Sequence, residues 1–239
     1  MFSIATWNMD NWKRTKEQRQ TAWDYLTKEV QPDIALLQEC VPPDDMGEEY
    51  NIIYQEIGGN RKWGSAVLAR GYPLKELNFD NSLPGSVVIA EVELPALTLT
   101  AISVYGMFCK HNYTSTTMHW ILSDLTHILH GQRSKRSFIM GGDYNLSPQW
   151  DERYNHRDPS HRLVFDRIED FGLVDCTYQF FGKHVQTNRH ARSSFPWQND
   201  YLHASKKLAS SLASCEVLDD ESIRESSDHN PVVAHFNLD

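Results

Sequence analysis

The sequence has few cysteines, no long apolar run and no basic start. Its cysteines, Cys40, Cys109, Cys176 and Cys215, are widely spaced and form no CxxC pair, which argues against a zinc cage or a redox motif. No segment approaches the apolar length that a membrane span needs, and the first residues lack the basic and apolar regions of a secretory leader. We therefore expect a soluble, cytoplasmic protein that does not contact a membrane.

Basic residues are also scarce relative to acidic ones. The chain has 23 Lys and Arg residues against 32 Asp and Glu residues, and its formal net charge is -9 at pH 7. This balance provides no general attraction to polyanions, so it argues against a protein that coats nucleic acid. A nuclease is not excluded, because a site that collects divalent cations must carry carboxylates and the bound metal inverts the local potential.

The chain also lacks internal repeats, low-complexity tracts and a linker rich in Pro, Gly and Ser. Its 239 residues, of which 40% are hydrophobic, can bury a sizeable core. We therefore expect a single globular domain over residues 1–239.

Strand-like and helix-like patterns alternate along the chain. Apolar runs or alternation predict strands at residues 2–7, 34–37, 51–57, 64–70, 86–94, 97–105, 138–140 and 232–236. Helical spacing predicts helices at residues 16–30, 118–128 and 163–171. The continuous apolar run at residues 34–37 suggests burial on both faces. This mixture favours a layered α/β or α+β fold.

Five polar segments stand where apolar strands start or stop, and strand ends are where layered folds gather functional groups. The segments contain Asn8 and Asp10, Glu39, Asp143 and Asn145, Asp200, and Asp228 and His229. Taken alone, each segment is better explained as a turn or a surface charge, since Gly, Asn and Asp favour turns. The signal lies in the order of all five.

In this order and spacing, the segments resemble the endonuclease/exonuclease/phosphatase superfamily, and the match runs from Asn8 to His229. Its most specific parts are Gly142-Asp143-Tyr144-Asn145 and Ser227-Asp228-His229-Asn230-Pro231. The resemblance implies a four-layer α/β sandwich, in which helices flank two packed mixed β-sheets and the active site lies at one end of the sheets. It also implies divalent-metal-dependent hydrolysis of phosphoester bonds.

The resemblance further implies a site for Mg²⁺ or Mn²⁺, ions that carboxylates suit. Glu39 is the leading candidate ligand. Asp10 and Asp228 are expected to complete the metal environment directly or through water. Asn8 is expected to orient a phosphate oxygen or a neighbouring carboxylate.

By the same resemblance, Asp143 orients or deprotonates the attacking water, and Asn145 donates to a phosphate oxygen. His229, held by Asp200, stabilises negative charge that develops at the scissile phosphate. These roles predict that Asp143→Asn is nearly inactive.

Tyr105 ends a predicted strand at a position where exonuclease III-like members commonly have Tyr, which favours the nuclease branch. A tyrosine of the core or rim is the alternative here, because the following Gly106-Met107-Phe108 departs from the sequence usual in abasic-site endonucleases.

Residues 186–197 mix cations with aromatic rings just before Asp200. Arg189, Arg192 and Trp197 are expected to bind single-stranded or splayed nucleic acid. Packing of Trp197 in the core, with solvated arginines, is an equally ordinary explanation. The basic groups around Lys13, around Arg61 and at residues 133–136 could line a phosphate track, but solvated helix faces and loops are the commoner explanation.

The first functional hypothesis is a Mg²⁺- or Mn²⁺-dependent nuclease that acts on DNA or RNA. The alternative is a phosphatase or phosphodiesterase of small phosphates or lipid headgroups, which the low basic charge favours. A catalytically silent binding module is disfavoured, because its natural signature is a broken set of site residues and this set is intact.

Overall fold

The chain folds around two six-stranded β-sheets. The computed structural model describes residues 1–44, 46, 49–109, 113–131, 137–154 and 159–238. Its strands are β1 Phe2–Asn8, β2 Ile34–Cys40, β3 Tyr50–Gly58, β4 Arg61–Arg70, β5 Leu74–Glu76, β6 Val87–Glu93, β7 Thr98–Tyr105, β8 Ser137–Asp143, β9 Leu173–Asp175, β10 Asp200–Ser205, β11 Leu212–Val217 and β12 Val232–Phe236. The basic group at residues 133–136 lies outside the described residues.

Both sheets are mixed. The first sheet has the order β11-β12-β1-β2-β4-β3, and the second has the order β5-β6-β7-β8-β10-β9. Within each sheet one central pair is parallel, β1 with β2 and β7 with β8, and the other pairs are antiparallel. The strand directions therefore bring the ends of several central strands to one edge.

Helices flank the two sheets. They are α1 Lys16–Asp24, α2 Thr114–Asp124, α3 Thr126–Gly131, α4 Pro148–Tyr154, α5 Ser160–Asp170, α6 Cys176–Phe181, α7 Lys206–Ala209 and α8 Glu221–Ser226. A 3₁₀ turn spans Asn11–Lys13, and α1 continues into a π-helical turn at Tyr25–Val30. The helix predicted at residues 16–30 is therefore regular only in its first part. None of the described helices is long and apolar enough to cross a membrane.

The core has three layers of apolar contacts, as the alternation within β2 illustrates. Ile34 and Leu36 pack between the two sheets, whereas Ala35 and Leu37 pack against α1. Successive strand residues face opposite sides, so burial of all four requires an apolar layer on each face. On the far side, the second sheet packs against α2 and α5. The predicted four-layer α/β sandwich and the burial of residues 34–37 on both faces are confirmed.

Gly142 permits the close pairing of β7 and β8 just before Asp143. Its φ is 152°, a conformation that residues with a Cβ rarely adopt. A Cβ at this position would collide with the backbone carbonyl oxygen of Val104 on β7. The end of β8, which carries Asp143, therefore depends on a residue without a side chain.

We expect Gly142→Ala to lower the free energy of unfolding by about 3 kcal/mol or more, because strain and overlap add. Gly59→Ala is the matched control. Gly59 also has a positive φ, 63°, but nothing lies within 4 Å of an added Cβ, so its cost should be about 1 kcal/mol. Urea unfolding measures both values. Equal losses would contradict the steric explanation.

A buried histidine on β10, His203, packs against Tyr144, the residue that follows β8. Nδ1 of His203 lies 3.1 Å from the hydroxyl oxygen of Tyr144, and the two rings stack with their centroids 5.6 Å apart. Burial lowers the pKa of His203 from 6.5 to about 3. The folded protein therefore keeps this imidazole neutral at pH values where the unfolded chain would protonate it.

This depressed pKa predicts a loss of stability in acid. The neutral imidazole of His203 makes its full contribution to the free energy of unfolding above the pKa that this group has in the unfolded chain. Below that pKa the contribution is lost at about 1.4 kcal/mol for each pH unit. We expect the stability of the wild-type protein to fall more steeply between about pH 6 and pH 4 than that of His203→Gln. Urea unfolding across this range provides the two slopes, and parallel slopes would show that His203 does not contribute.

Candidate active site

The polar segments meet at one edge because of the strand directions. β1 and β2 are parallel, so Asn8 lies beside the end of β2. β12 is antiparallel to β1, so the residues just before it, including His229, reach the same edge. In the second sheet, Asp143 at the end of β8 pairs with Tyr105 on β7 and with Asp200 on β10. Residues far apart in the sequence thus share one small region.

Asp143 lies at the centre of this region and accepts three hydrogen bonds. Nδ2 of Asn8 donates to Oδ2 at 2.8 Å, Nδ2 of Asn145 donates to the same oxygen at 3.0 Å, and the backbone N–H of Asn145 donates to Oδ1 at 2.8 Å. Burial raises the pKa of Asp143 to about 7, although the nearby His229 works in the other direction. A carboxyl group with this pKa can take up or release a proton near neutral pH.

His229 lies between three carboxylates. Its Nδ1 is 2.9 Å from Oδ2 of Asp200, and its Nε2 is 3.8 Å from Oδ2 of Asp143 and 3.7 Å from Oδ1 of Asp228. Burial alone would lower the pKa of His229, but Asp200, Asp143 and Asp228 raise it to about 10. These carboxylates therefore favour the charged form of the ring, with Asp200 as its main partner.

Asn188 is a further member of the site that the sequence reasoning missed. Nδ2 of its side-chain amide lies 2.9 Å from Nε2 of His229. An amide can accept from an imidazolium through its oxygen or donate to a neutral imidazole through its nitrogen, so Asn188 can hold the ring in either state. Nothing near Asn188 in the sequence signals this contact, which spans 41 residues.

Glu39 lies next to Tyr105 and Asn8. Burial raises the pKa of Glu39, and the polar groups of these two residues oppose the increase. Burial also raises the pKa of Tyr105 well above its ordinary value, so the phenol stays protonated. The ring of Trp63 packs edge-on against Tyr105, with centroids 5.3 Å apart, and this contact holds the phenol beside Glu39.

Asp10 and Asp228 share a lysine. Nζ of Lys13 lies 3.3 Å from Oδ1 of Asp10 and 3.0 Å from Oδ2 of Asp228, and Arg14 pairs with Oδ2 of Asp10 at 2.6 Å. Burial and the neighbouring Asp228 raise the pKa of Asp10, against the effect of Lys13 and Arg14. Lys13, Lys16 and Arg19 are exposed, as expected of a solvated basic group, but the ammonium group of Lys13 also bridges two carboxylates of the site.

Backbone strain concentrates at the same place. Among the described residues, four other than glycine have a left-handed backbone: Asp10, Gln31, Glu39 and Asn145. All but Gln31 carry side chains that the sequence assigned to the site. Such conformations are uncommon outside glycine and persist only where the surrounding structure enforces them. These backbone conformations direct the three polar side chains toward the shared edge of the sheets.

Two groups of side chains offer metal ligands. Asp143, Asp200 and His229 present ligand atoms within 4.8 Å of one another, and the two ring nitrogens of His229 also contact Asp200 and Asn188. Glu39, Asp10 and Asp228 are oxygen donors whose charges act on one another. Oδ1 of Asp10 is buried and forms no hydrogen bond, although Nζ of Lys13 lies 3.3 Å away. Oδ1 of Asp200 in the first group is likewise buried and has no hydrogen-bond partner, so each group presents a carboxylate oxygen of the kind that a hard divalent cation prefers.

The three residues expected to bind substrate differ in their surroundings. Trp197 is only 8% exposed and packs against the rings of Phe195 and Trp150. Arg189 donates to the backbone oxygen of Ser227 at 2.6 Å and pairs with Asp219 at 3.4 Å, so it braces the segment before His229. Arg192 is exposed. Their roles in substrate binding stay predictions.

Solved structures share this fold. An AP endonuclease from Archaeoglobus fulgidus matches with a TM-score of 0.72 and 18% identity, over 100% of both chains. A 3′ phosphatase, NExo, from Neisseria, bound to a product DNA hairpin, matches with a TM-score of 0.76 and 18% identity, over 99% of this chain and 100% of the other. The AP endonuclease LMAP from Leishmania major matches with a TM-score of 0.77 and 16% identity, over 98% of this chain and 86% of the other. At these identities the similarity establishes the fold alone.

No curated protein matches the sequence. The model of the Endonuclease/Exonuclease/phosphatase family matches residues 5–229, an interval that holds all five polar segments. The chain therefore belongs to the endonuclease/exonuclease/phosphatase family, whose enzymes hydrolyse phosphoester bonds.

Proposed function

We propose that the protein is a Mg²⁺- or Mn²⁺-dependent nuclease that hydrolyses phosphodiester bonds in DNA or RNA. The observation that carries the proposal is the buried pair of Asp143, with a pKa near 7, and the imidazolium of His229, only 3.8 Å apart. Two structures that share the fold are AP endonucleases, and a third was bound to DNA. The contact of Tyr105 with Glu39 supports the nuclease branch.

Asp143 is the residue proposed to orient or deprotonate the attacking water. Asn8 and Asn145 fix both of its oxygens through hydrogen bonds of 2.8 to 3.0 Å. Its pKa near 7 is suitable for a general base, because the group is partly ionised at neutral pH and still basic enough to accept a proton. The substitution Asp143→Asn removes the proposed base, and the side chain keeps nearly the same size and shape.

His229 is proposed to stabilise negative charge on the phosphate. Asp200 holds its Nδ1 at 2.9 Å and keeps the ring charged. The other nitrogen, Nε2, faces Asp143 and the amide of Asn188. A phosphate oxygen that took the place of Asn188 at Nε2 would receive a charge-assisted hydrogen bond in a buried region, where such bonds are strongest.

Glu39, with Asp10 and Asp228, is proposed to hold the divalent cation. When bound, such an ion neutralises phosphate charge and polarises the phosphoryl group. The charge of the whole region supports a bound cation. Counted at full ionisation, the carboxylates of Asp10, Glu39, Asp143, Asp200 and Asp228 outnumber the cations of Lys13, Arg14 and His229 by two negative charges, which one divalent cation balances.

The function is tested by product analysis on labelled duplex DNA, abasic-site duplex, single-stranded DNA, RNA and inositol phosphates, with Mg²⁺ or Mn²⁺ and with EDTA. We expect cleavage of a nucleic acid that EDTA abolishes. In Asp143→Asn, kcat should fall by at least about 100-fold, because the proposed general base is lost.

Asp175→Asn is the matched control for this substitution. Asp175 is also a shielded aspartate with a raised pKa, about 6, but it caps α6, a role that Asn fulfils equally well. Its activity should equal that of the wild-type protein. Release of phosphate from small substrates alone would overturn the nuclease proposal in favour of the phosphatase alternative.

The proposed metal ligands are tested separately by thermal unfolding. A cation that binds only the folded protein raises Tm, so we expect Mg²⁺ or Mn²⁺ to stabilise the wild-type protein. Glu39→Gln should lose this increase, because a neutral amide is a weaker ligand for a hard cation. Asp200→Asn should keep it. The opposite result would move the cation to the group of Asp143, Asp200 and His229.

A further inference from the structure

A group of aromatic side chains continues outward from the candidate active site. Helix α4 begins three residues after Asn145 and presents Trp150 and Tyr154, which are 40% and 51% exposed. Core packing explains the buried Trp197, but it does not explain why two further large rings next to it face solvent. Exposed apolar groups collected in one place commonly mark a binding surface.

The rings are in mutual contact. The centroid of Trp150 lies 4.5 Å from that of Tyr154 and 5.6 Å from that of Trp197, and Phe195 lies 4.3 Å from Trp197. The guanidinium of Arg153 stands 4.6 Å from the centroid of Phe195. We name these five residues, Trp150, Arg153, Tyr154, Phe195 and Trp197, the aromatic platform. Flat rings with one adjacent cation form a surface suited to planar ligands attached to a negative chain.

Backbone pairing joins the platform to His229. Asn188 forms an antiparallel bridge with Trp197 on one side and with His229 on the other. Residues that face each other across antiparallel segments point their side chains to the same side. The side chains of Trp197, Asn188 and His229 therefore share one face, and Trp197 lies about 10 Å from His229, two strand spacings away.

A second link fixes the position of α4. The backbone N–H of Gln198 donates to Oε1 of Gln149 at 3.1 Å, and Oγ of Ser147 donates to the same oxygen at 3.0 Å. The helix that carries Trp150 and Tyr154 is thus attached both to the segment after Asn145 and to the segment before Asp200. The platform is therefore held in a fixed position relative to the candidate active site.

We propose that the aromatic platform binds unpaired nucleobases next to the phosphodiester bond that is cleaved. This proposal rests on the proposed nuclease function. It narrows the substrate from any nucleic acid to a strand with unpaired bases. In a duplex, base faces are covered by their neighbours, so exposed rings have nothing to stack on. In a single strand, a frayed end or an overhang, every base offers a face, whatever its identity.

The test measures binding in EDTA, where the proposed cleavage cannot occur, to two strands of equal length. One is oligothymidine and the other is a strand of abasic units, which carries the same phosphate charge but has no bases. We expect the wild-type protein to bind oligothymidine roughly ten-fold or more tightly than the abasic strand. Trp150→Ala should remove most of this preference, and Trp150→Phe, which keeps a ring, should restore most of it.

Trp120→Ala is the matched control, because Trp120 on α2 is also 40% exposed and does not belong to the platform. It should bind both strands as the wild-type protein does. Equal wild-type binding to both strands, including no binding to either, would overturn the platform proposal. So would a preference that Trp150→Ala leaves intact.

These outcomes are independent of the cleavage assay. A protein that cleaves nucleic acid without a preference for bases would refute the platform and leave the proposed nuclease function standing. A protein that prefers bases but cleaves no nucleic acid would do the reverse.

Discussion

The hydrogen bond from Asn8 to Asp143 joins the two sheets at the edge where their polar strand ends meet. It is 2.8 Å long and buried, and it lies beyond an inter-sheet layer that is otherwise mainly apolar. A second polar link, from Nε2 of Gln38 to Oγ of Ser103 at 2.9 Å, lies just behind it. Buried polar groups are costly when unpaired, so these bonds are satisfied only in one relative position of the sheets. The position of the Asp143 carboxylate therefore depends on how the two sheets pack together.

The same burial determines the electrostatics of the site. Desolvation raises the pKa of Asp10, Glu39 and Asp143, because a charged carboxylate loses the water that would stabilise it. The imidazolium of His229 and the two cations at Lys13 and Arg14 only partly compensate. Buried charges without enough partners attract protons or cations. A site that needs both a base near neutral pH and a bound divalent cation benefits from this imbalance.

Substrate choice is a separate matter from this chemistry, because it depends on the surface around the edge. The aromatic platform extends from that edge through α4 and the segment that carries Phe195 and Trp197. On the opposite side of Asp143, Trp63 packs against Tyr105, and Arg61 lies 5.8 Å from the Trp63 ring. Aromatic rings therefore stand on both sides of the acidic region. Among these rings, Trp150 and Tyr154 provide exposed aromatic surface without a large positive charge, which is consistent with the net charge of -9.

The amino-acid sequence by itself determined the layered fold class, through strand and helix periodicities, and it determined which polar segments stand at strand ends. The order of the five polar segments, through the family resemblance that it carries, named Asn8, Glu39, Asp143, Asn145, Asp200 and His229 as candidate site residues. The sequence did not reveal β10, Asp200–Ser205, whose mixed composition hides the alternation although the strand is almost wholly buried. Only the tertiary structure decided that Asn188 contacts His229, that Lys13 bridges Asp10 and Asp228, and that Trp150 joins Trp197. The reason is physical: strand periodicity is a local property of the chain, whereas the contact of Lys13 with Asp228 joins residues 215 positions apart and exists only after the sheets have packed.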